Sequence, residues 1–195
     1  MTHPEFFSVT LSSFVLVSLA EMGDKSQLVC ITLAARHRHW PVILGASIAF
    51  LLLNTLAVLF GAGVAAWVPA QWMAGIVAVL FGAFGIHALL NQSVVSAGDV
   101  VEKPGHSIFL TTLLLILVTE FGDKTQIAVA GLAGNLAPLP VWLGGTAALI
   151  MVSVLGVWAG RTVLQRLPLL WLHRISGGVF LLFAFLAAWK ALAQG

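Results

Sequence analysis

Two heptapeptides hold most of the reactive side chains in this sequence: Glu21-Met22-Gly23-Asp24-Lys25-Ser26-Gln27 and Glu120-Phe121-Gly122-Asp123-Lys124-Thr125-Gln126. On a helix Glu21 and Asp24 stand at i and i+3, as do Asp24 and Gln27, while Glu21 and Lys25 stand at i and i+4. One face then carries two carboxylates and an amide, and the second heptapeptide repeats it. Such oxygens are hard ligands suited to Mg²⁺, Ca²⁺ or Mn²⁺, whereas zinc and copper sites recruit His or Cys, and neither motif contains His. The candidate cation ligands are Glu21, Asp24, Gln27, Glu120, Asp123 and Gln126. Fully ionised, the two motifs carry four negative and two positive charges, a surplus that one divalent cation neutralises. Close carboxylates also share protons, so proton and cation compete for one site, which is the minimal machinery of an antiporter. Lys25 and Lys124 serve either as internal counter-ions or as occupants of the empty site during return. Gly23 and Gly122 allow either close helix packing or a local break that exposes backbone carbonyls.

The elements around these motifs must be membrane helices. Of 195 residues, 60% are hydrophobic and 8% charged, with a mean hydropathy of +1.05. Soluble chains carry about 25% charged residues, so a soluble fold is excluded. No basic run suits nucleic acid, and the lone Cys30 supports no disulfide framework. Hydropathy marks spans near residues 6–34, 41–66, 72–91, 107–134, 140–160 and 172–191. Their continuous apolar character, without alternation, selects helices over a barrel. Trp40, Trp67, Trp72, Trp142, Trp171 and Trp189 fall near span ends, where the headgroup boundary favours them. The first apolar run lacks a positive flank and carries Glu21 to Lys25 in its middle, so it reads as a retained span. Six motif charges at bilayer depth would cost about 15–20 kcal/mol unpaired, and intramembrane ionisable groups are functional by default. The competing reading is a structural network pairing Glu21 with Lys25 and Glu120 with Lys124.

A shift of 99 residues lays the first half on the second without a gap. Besides the motifs it pairs Pro41 with Pro140, Gly45 with Gly144, Trp72 with Trp171 and Phe81 with Phe180. The expected organisation is a first three-helix repeat over residues 1–91, a central cytoplasmic linker over 92–106 and a second repeat over 107–195. Three crossings are odd, so the second repeat is inverted. The fold class expected is an all-α integral membrane protein of six transmembrane helices in two inverted three-helix repeats, with its site at the midplane where the halves meet. Arg36, Arg38, Lys103, Arg161 and Arg166 fall on one face and Lys190 on the other, which puts the central loop in the cytoplasm and both termini outside. Ser26, Thr125, Ser47 and Thr146 are matched hydroxyls that read as helix-packing groups or supports behind the ligands, ahead of ligands themselves, with Gly23 and Gly122 as hinges. Asn54 has Ser153 as its counterpart and reads as a packing group or as a support behind the ligands, and His87 as a satisfied histidine.

At the two motifs the chain resembles a family of small membrane proteins with paired E-x-G-D-[KR]-[ST] sequences, which includes MneA-type bacterial manganese exporters and Golgi manganese/calcium transporters. That family is similar to the wider cation/calcium exchangers. The resemblance implies export of Mn²⁺, or of Ca²⁺ in some relatives, from the cytosol in exchange for protons, with Glu21, Asp24, Glu120 and Asp123 as ligands. It implies residence in the lipid bilayer of a bacterial inner membrane, with ion and proton as substrates and no cofactor. A Ca²⁺/H⁺ antiporter of the same architecture is the alternative. A further one, an intramembrane enzyme or assembly factor, lacks support because no H-E-x-x-H sequence or serine with a paired base is present. Asp24→Asn or Asp123→Asn is expected to abolish cation transport while the protein still inserts, and retained Mn²⁺ flux in vesicles would overturn the assignment.

Overall fold

Long runs of Leu, Val, Ala and Phe form helices here because a backbone surrounded by lipid must satisfy its own N–H and C=O groups. The computed structural model describes residues 3–90, 107–164 and 169–193, with the side chains of Lys25 and of residues 159–173 excepted. The regular structure of these residues is helical: α1 (His3–Glu21), α2 (Lys25–Arg36), α3 (His39–Ala65), α4 (Ala70–Leu90), α5 (Ile108–Glu120), α6 (Lys124–Asn135), α7 (Pro138–Leu164) and α8 (Leu169–Ala193). Pro41, Pro138 and Pro140 lie in the first turns of α3 and α7, where no intrahelical N–H is required. Ser107 caps α5, its hydroxyl accepting from the Leu110 N–H at 3.2 Å. Five helical segments among the described residues are long and apolar enough to cross a membrane: His3–Glu21, His39–Ala65, Ala70–Leu90, Pro138–Trp158 and Arg174–Ala193.

Two expected spans need correction. Residues 6–34 and 107–134 are not continuous helices: the first divides into α1 and α2 and the second into α5 and α6, each at its acidic motif. The apolar pattern runs through both breaks, so hydropathy does not register them. The linker 92–106 with Lys103, and Arg166, lie outside the described residues, as do the side chains of Lys25, Arg161 and Trp171.

Helix packing shows that the 99-residue shift has a spatial meaning. Phe81 on α4 packs edge-on against its own counterpart Phe180 on α8, with ring centroids 5.6 Å apart. Phe81 also meets Phe183, and Phe84, the counterpart of Phe183, meets Phe180. Contacts that exchange in this way mark a pseudo-two-fold axis between α4 and α8. The same exchange occurs at two glycines: Gly45 on α3 abuts Phe109, Thr112 and Leu113 of α5, and Gly144 on α7 abuts Thr10, Ser13 and Phe14 of α1. Each of these pairs is related by 99 residues. The central pair is α3 and α7, with 56% of each span buried against 28% for α1 and α4. The outside is apolar, as lipid contact requires, with Val79 73% and Val118 77% exposed. Trp40, Trp67, Trp72 and Trp189 are exposed near helix ends, but Trp142 turns inward, its Nε1–H donating to Thr55 Oγ1 at 2.9 Å.

A side chain at Gly144 would strike the Thr10 carbonyl, whereas nothing lies within 4 Å of a Cβ at Gly63. Gly144→Val is therefore expected to destabilise the detergent-purified protein by about 1–3 kcal/mol. Gly63→Ala on α3 should be neutral or slightly stabilising. Thermal unfolding of the two variants checks the contrast, and equal melting temperatures would contradict the close α1–α7 crossing.

Candidate functional site

Each motif is a helix break built on one glycine. Gly23 has φ +86° and Gly122 φ +78°, in the left-handed region that costs other residues about 1–2 kcal/mol. The freed backbone is satisfied the same way in both halves. Gly23 N–H donates to Gln27 Oε1 at 2.7 Å, and Gly122 N–H donates to Gln126 Oε1 at 2.7 Å. Asp24 N–H reaches the Glu21 carbonyl at 3.1 Å, and Asp123 N–H the Glu120 carbonyl at 3.2 Å. Of the two roles open to these glycines, the structure adopts the break. It also replaces the expected single helical face: Glu21 and Glu120 end α1 and α5, while Asp123, in extended conformation, precedes α6. The carbonyl-rich C-terminal ends of α1 and α5, which carry partial negative charge, therefore meet the acids at mid-fold.

The charged groups pair across the repeats. Glu21 is 1% exposed; its Oε1 accepts from the Ser26 hydroxyl on α2, and its Oε2 accepts from Thr125 Oγ1 on α6 at 2.9 Å. Lys124, which opens α6, forms an ion pair with Asp24 of the other motif. The Glu120–Lys124 pair of the competing structural reading gives way to this contact, Lys124 opening α6 beyond the break rather than continuing the helix that ends at Glu120. The expected Glu21–Lys25 pair falls on a side chain outside those described. Glu21, Glu120, Asp123, Thr125 and Gln126 line one small cavity of about 20 Å³, together with Asn54 and apolar side chains of α3, α6 and α7. Asp123 Oδ2 is buried there without a hydrogen-bond partner among the described residues. No group of three or more His, Cys, Asp or Glu side chains among the described residues is close enough to form a ready metal cage.

The two halves are not equivalent in exposure. Asp24 and Gln27 are buried, and a Cβ at Gly156 would lie 2.9 Å from Gln27 Cγ, which shows how closely α7 covers that motif. Asp123 and Gln126 are half-buried, and Phe121 is 74% exposed. The second motif borders an apolar groove between α3, α4 and α6, lined by residues including Phe60, Met73, Val77 and Gln126. Neither Thr146 nor Ser47 is among the cavity's lining residues; Thr146 is buried and bonded to Asn54, whereas Ser47 is half-buried on α3. Asn54, which the sequence marks as a packing or supporting group rather than as a ligand, donates to Thr146 Oγ1 at 2.8 Å and to the Trp142 carbonyl at 3.1 Å. Its signal was a carboxamide in the middle of an otherwise apolar span. Cross-repeat pairing predicts that Asp24→Asn and Lys124→Gln are coupled. A double-mutant cycle by unfolding should give an interaction energy of about 0.5–3 kcal/mol, and additive losses would contradict the pair.

Comparison with known proteins gives the same duplication. The family described as Divalent cation/proton antiporter GDT1 matches twice, over residues 9–95 and 108–195. The chain is 29% identical over 184 residues to a Vibrio cholerae protein named as a manganese exporter, covering 93% of this chain and 90% of that one. It is 26% identical to a GDT1-like protein of Synechocystis, over 93% of this chain and 97% of that one, and 24% identical to GDT1-like protein 3 of Arabidopsis thaliana, over 94% and 71%. No solved structure matches. A membrane-helix bundle with two glycine-broken acidic motifs, matched by one family in each of its halves, belongs to the GDT1 family of divalent cation/proton antiporters.

Proposed function

We propose that this protein exports a divalent cation, Mn²⁺ foremost, from the cytoplasm in exchange for protons. The observation that carries the reading is the cavity shared by Glu21 of the first motif and by Glu120 and Asp123 of the second, in a fold whose two motifs are also joined by the Asp24–Lys124 ion pair. In this arrangement two of the four carboxylates are compensated: Lys124 neutralises Asp24, and two hydroxyls satisfy Glu21, while Asp123 Oδ2 is buried without a partner among the described residues. A cation entering between the motifs would replace the ammonium and hydroxyl partners with its own charge. Glu21, Asp24, Glu120 and Asp123 then act as ligands, with Gln27 and Gln126 holding the glycine turns and close enough to contribute. Protons arriving on the same carboxylates release the ion, since both neutralise the same negative charge. Lys124 acts as the internal counter-ion that occupies the site between ions, and Lys25 is assigned the same part in the other half.

The architecture proposed is six crossings, counting α1 with α2 and α5 with α6 as one broken span each, in two inverted halves of residues 1–91 and 107–195 joined by a linker over 92–106. The pseudo-two-fold contacts of Phe81 with Phe180 and of Gly45 and Gly144 support it. A bacterial inner-membrane location with both termini outside follows from the arginine-rich loops. The choice of Mn²⁺ draws on the name of the Vibrio cholerae relative and on an oxygen donor set that also accepts Ca²⁺. Purified protein in proteoliposomes with an imposed pH gradient tests the function. Mn²⁺ flux that exceeds Ca²⁺ and Mg²⁺ flux and collapses with the gradient is expected. Flux insensitive to the gradient would overturn proton exchange, and a Ca²⁺ preference would overturn the assigned ion.

A further inference from the structure

One buried polar atom in the cavity lies outside the acidic motifs and has no bond. Asn54 sits midway along α3, is 2% exposed, and lines the same cavity as Glu21, Glu120 and Asp123. Its Nδ2 donates to the Trp142 carbonyl at 3.1 Å and to Thr146 Oγ1 at 2.8 Å, both on α7. A carbonyl can only accept, so this contact determines which end of the carboxamide is nitrogen. The oxygen is the end left over, and Asn54 Oδ1 is buried without a hydrogen-bond partner among the described residues. Buried acceptors are nearly always satisfied, so an orphan in the cavity that Asp123, with its own unpartnered Oδ2, also lines calls for a positively charged or hydrogen-donating occupant.

The fold makes room for this amide in one half only. A Cβ at Gly145 would lie 3.0 Å from Asn54 Oδ1 and 3.2 Å from Nδ2. In the repeat, the counterparts of Asn54 and Gly145 are Ser153 and Ala46, so a larger polar group facing glycine replaces a smaller one matched with alanine. Ser153 spends its hydroxyl on the Leu149 carbonyl one turn back, at 2.8 Å. The pseudo-symmetric site thus has a neutral oxygen donor on its α3 side that the repeat does not reproduce.

We propose that Asn54 is a cation-contacting residue, its side-chain oxygen supplying α3's ligand to the ion held between Glu21, Glu120 and Asp123. The proposal rests on the cation-transport reading above. An amide oxygen solvates a hard divalent ion as a carbonyl does. Unlike a carboxylate it has no charge for a proton to neutralise, so it strengthens the metal's hold without equally strengthening the proton's.

The test is Mn²⁺ flux by the full chain in proteoliposomes, comparing wild type with Asn54→Leu, a near-isosteric apolar replacement, and Asn54→Ser, the residue of the other half. Asn54→Leu should raise the KM for Mn²⁺ about tenfold with the maximal rate within about twofold, and Asn54→Ser should fall between it and wild type. A packing role alone would lower the yield of folded protein and the maximal rate but not shift KM. Wild-type flux with an unchanged KM in whichever variant folds overturns this proposal alone. Absence of any divalent flux by the wild type overturns the transport reading and this proposal with it.

Discussion

A carboxylate held inside a membrane bundle must find a partner in the protein or bind an ion, because lipid offers none. The architecture around the two motifs follows from that constraint. Asp24 is neutralised by a lysine that lies one hundred residues away in sequence, in the matching motif of the other half. Glu21 is held by one hydroxyl from its own half and one from the other. These bonds cross the pseudo-two-fold interface, so the halves cannot separate or slide without exposing charge to hydrocarbon. In the function proposed above, what binds the halves together is also what an ion displaces, which links recognition to the packing of one repeat against the other.

The glycine breaks turn this constraint into geometry. A continuous helix would stack the two acids of a motif one turn apart and seal its backbone. With Gly23 and Gly122 in left-handed conformation, the Glu ends one half-helix and the Asp precedes the next. Carbonyl ends then face the middle of the fold, where their partial charges favour a cation. Gln27 and Gln126 each give their Oε1 to the glycine N–H, which keeps the break from leaving an unpaired donor in an apolar setting.

Departures from symmetry carry as much information as the symmetry. A transporter that alternates between two faces needs its halves to be similar enough to exchange roles and different enough to occupy them one at a time. Here the first motif is covered by α7, through Gly156 against Gln27, while the second borders the apolar groove of α3, α4 and α6. Asn54 and Gly145 against Ser153 and Ala46 mark a second, chemical departure at the cavity wall.

Much was legible in the sequence because hydropathy, loop charge and repetition are properties of the chain itself. Six apolar runs, the misplaced acids and the 99-residue duplication establish a membrane helix bundle made twice, and the bounds expected for α3, α4, α7 and α8 differ from those observed by a few residues. The break at each motif was open, since glycine between acids serves close packing and helix interruption equally well. Pairing was not legible: the i, i+4 spacing offers Lys124 to Glu120 as a local partner, and only the tertiary structure, with the break at Gly122, brings it to Asp24 of the other half. Asn54 looked inert because its counterpart is a serine, and its significance depends on which atoms α7 leaves unbonded. The sequence by itself determined which groups must be buried, because burial follows from composition along one chain. Only the tertiary structure decided which of them meet, because contact between half-helices depends on backbone dihedrals and helix crossings that side-chain order does not encode locally.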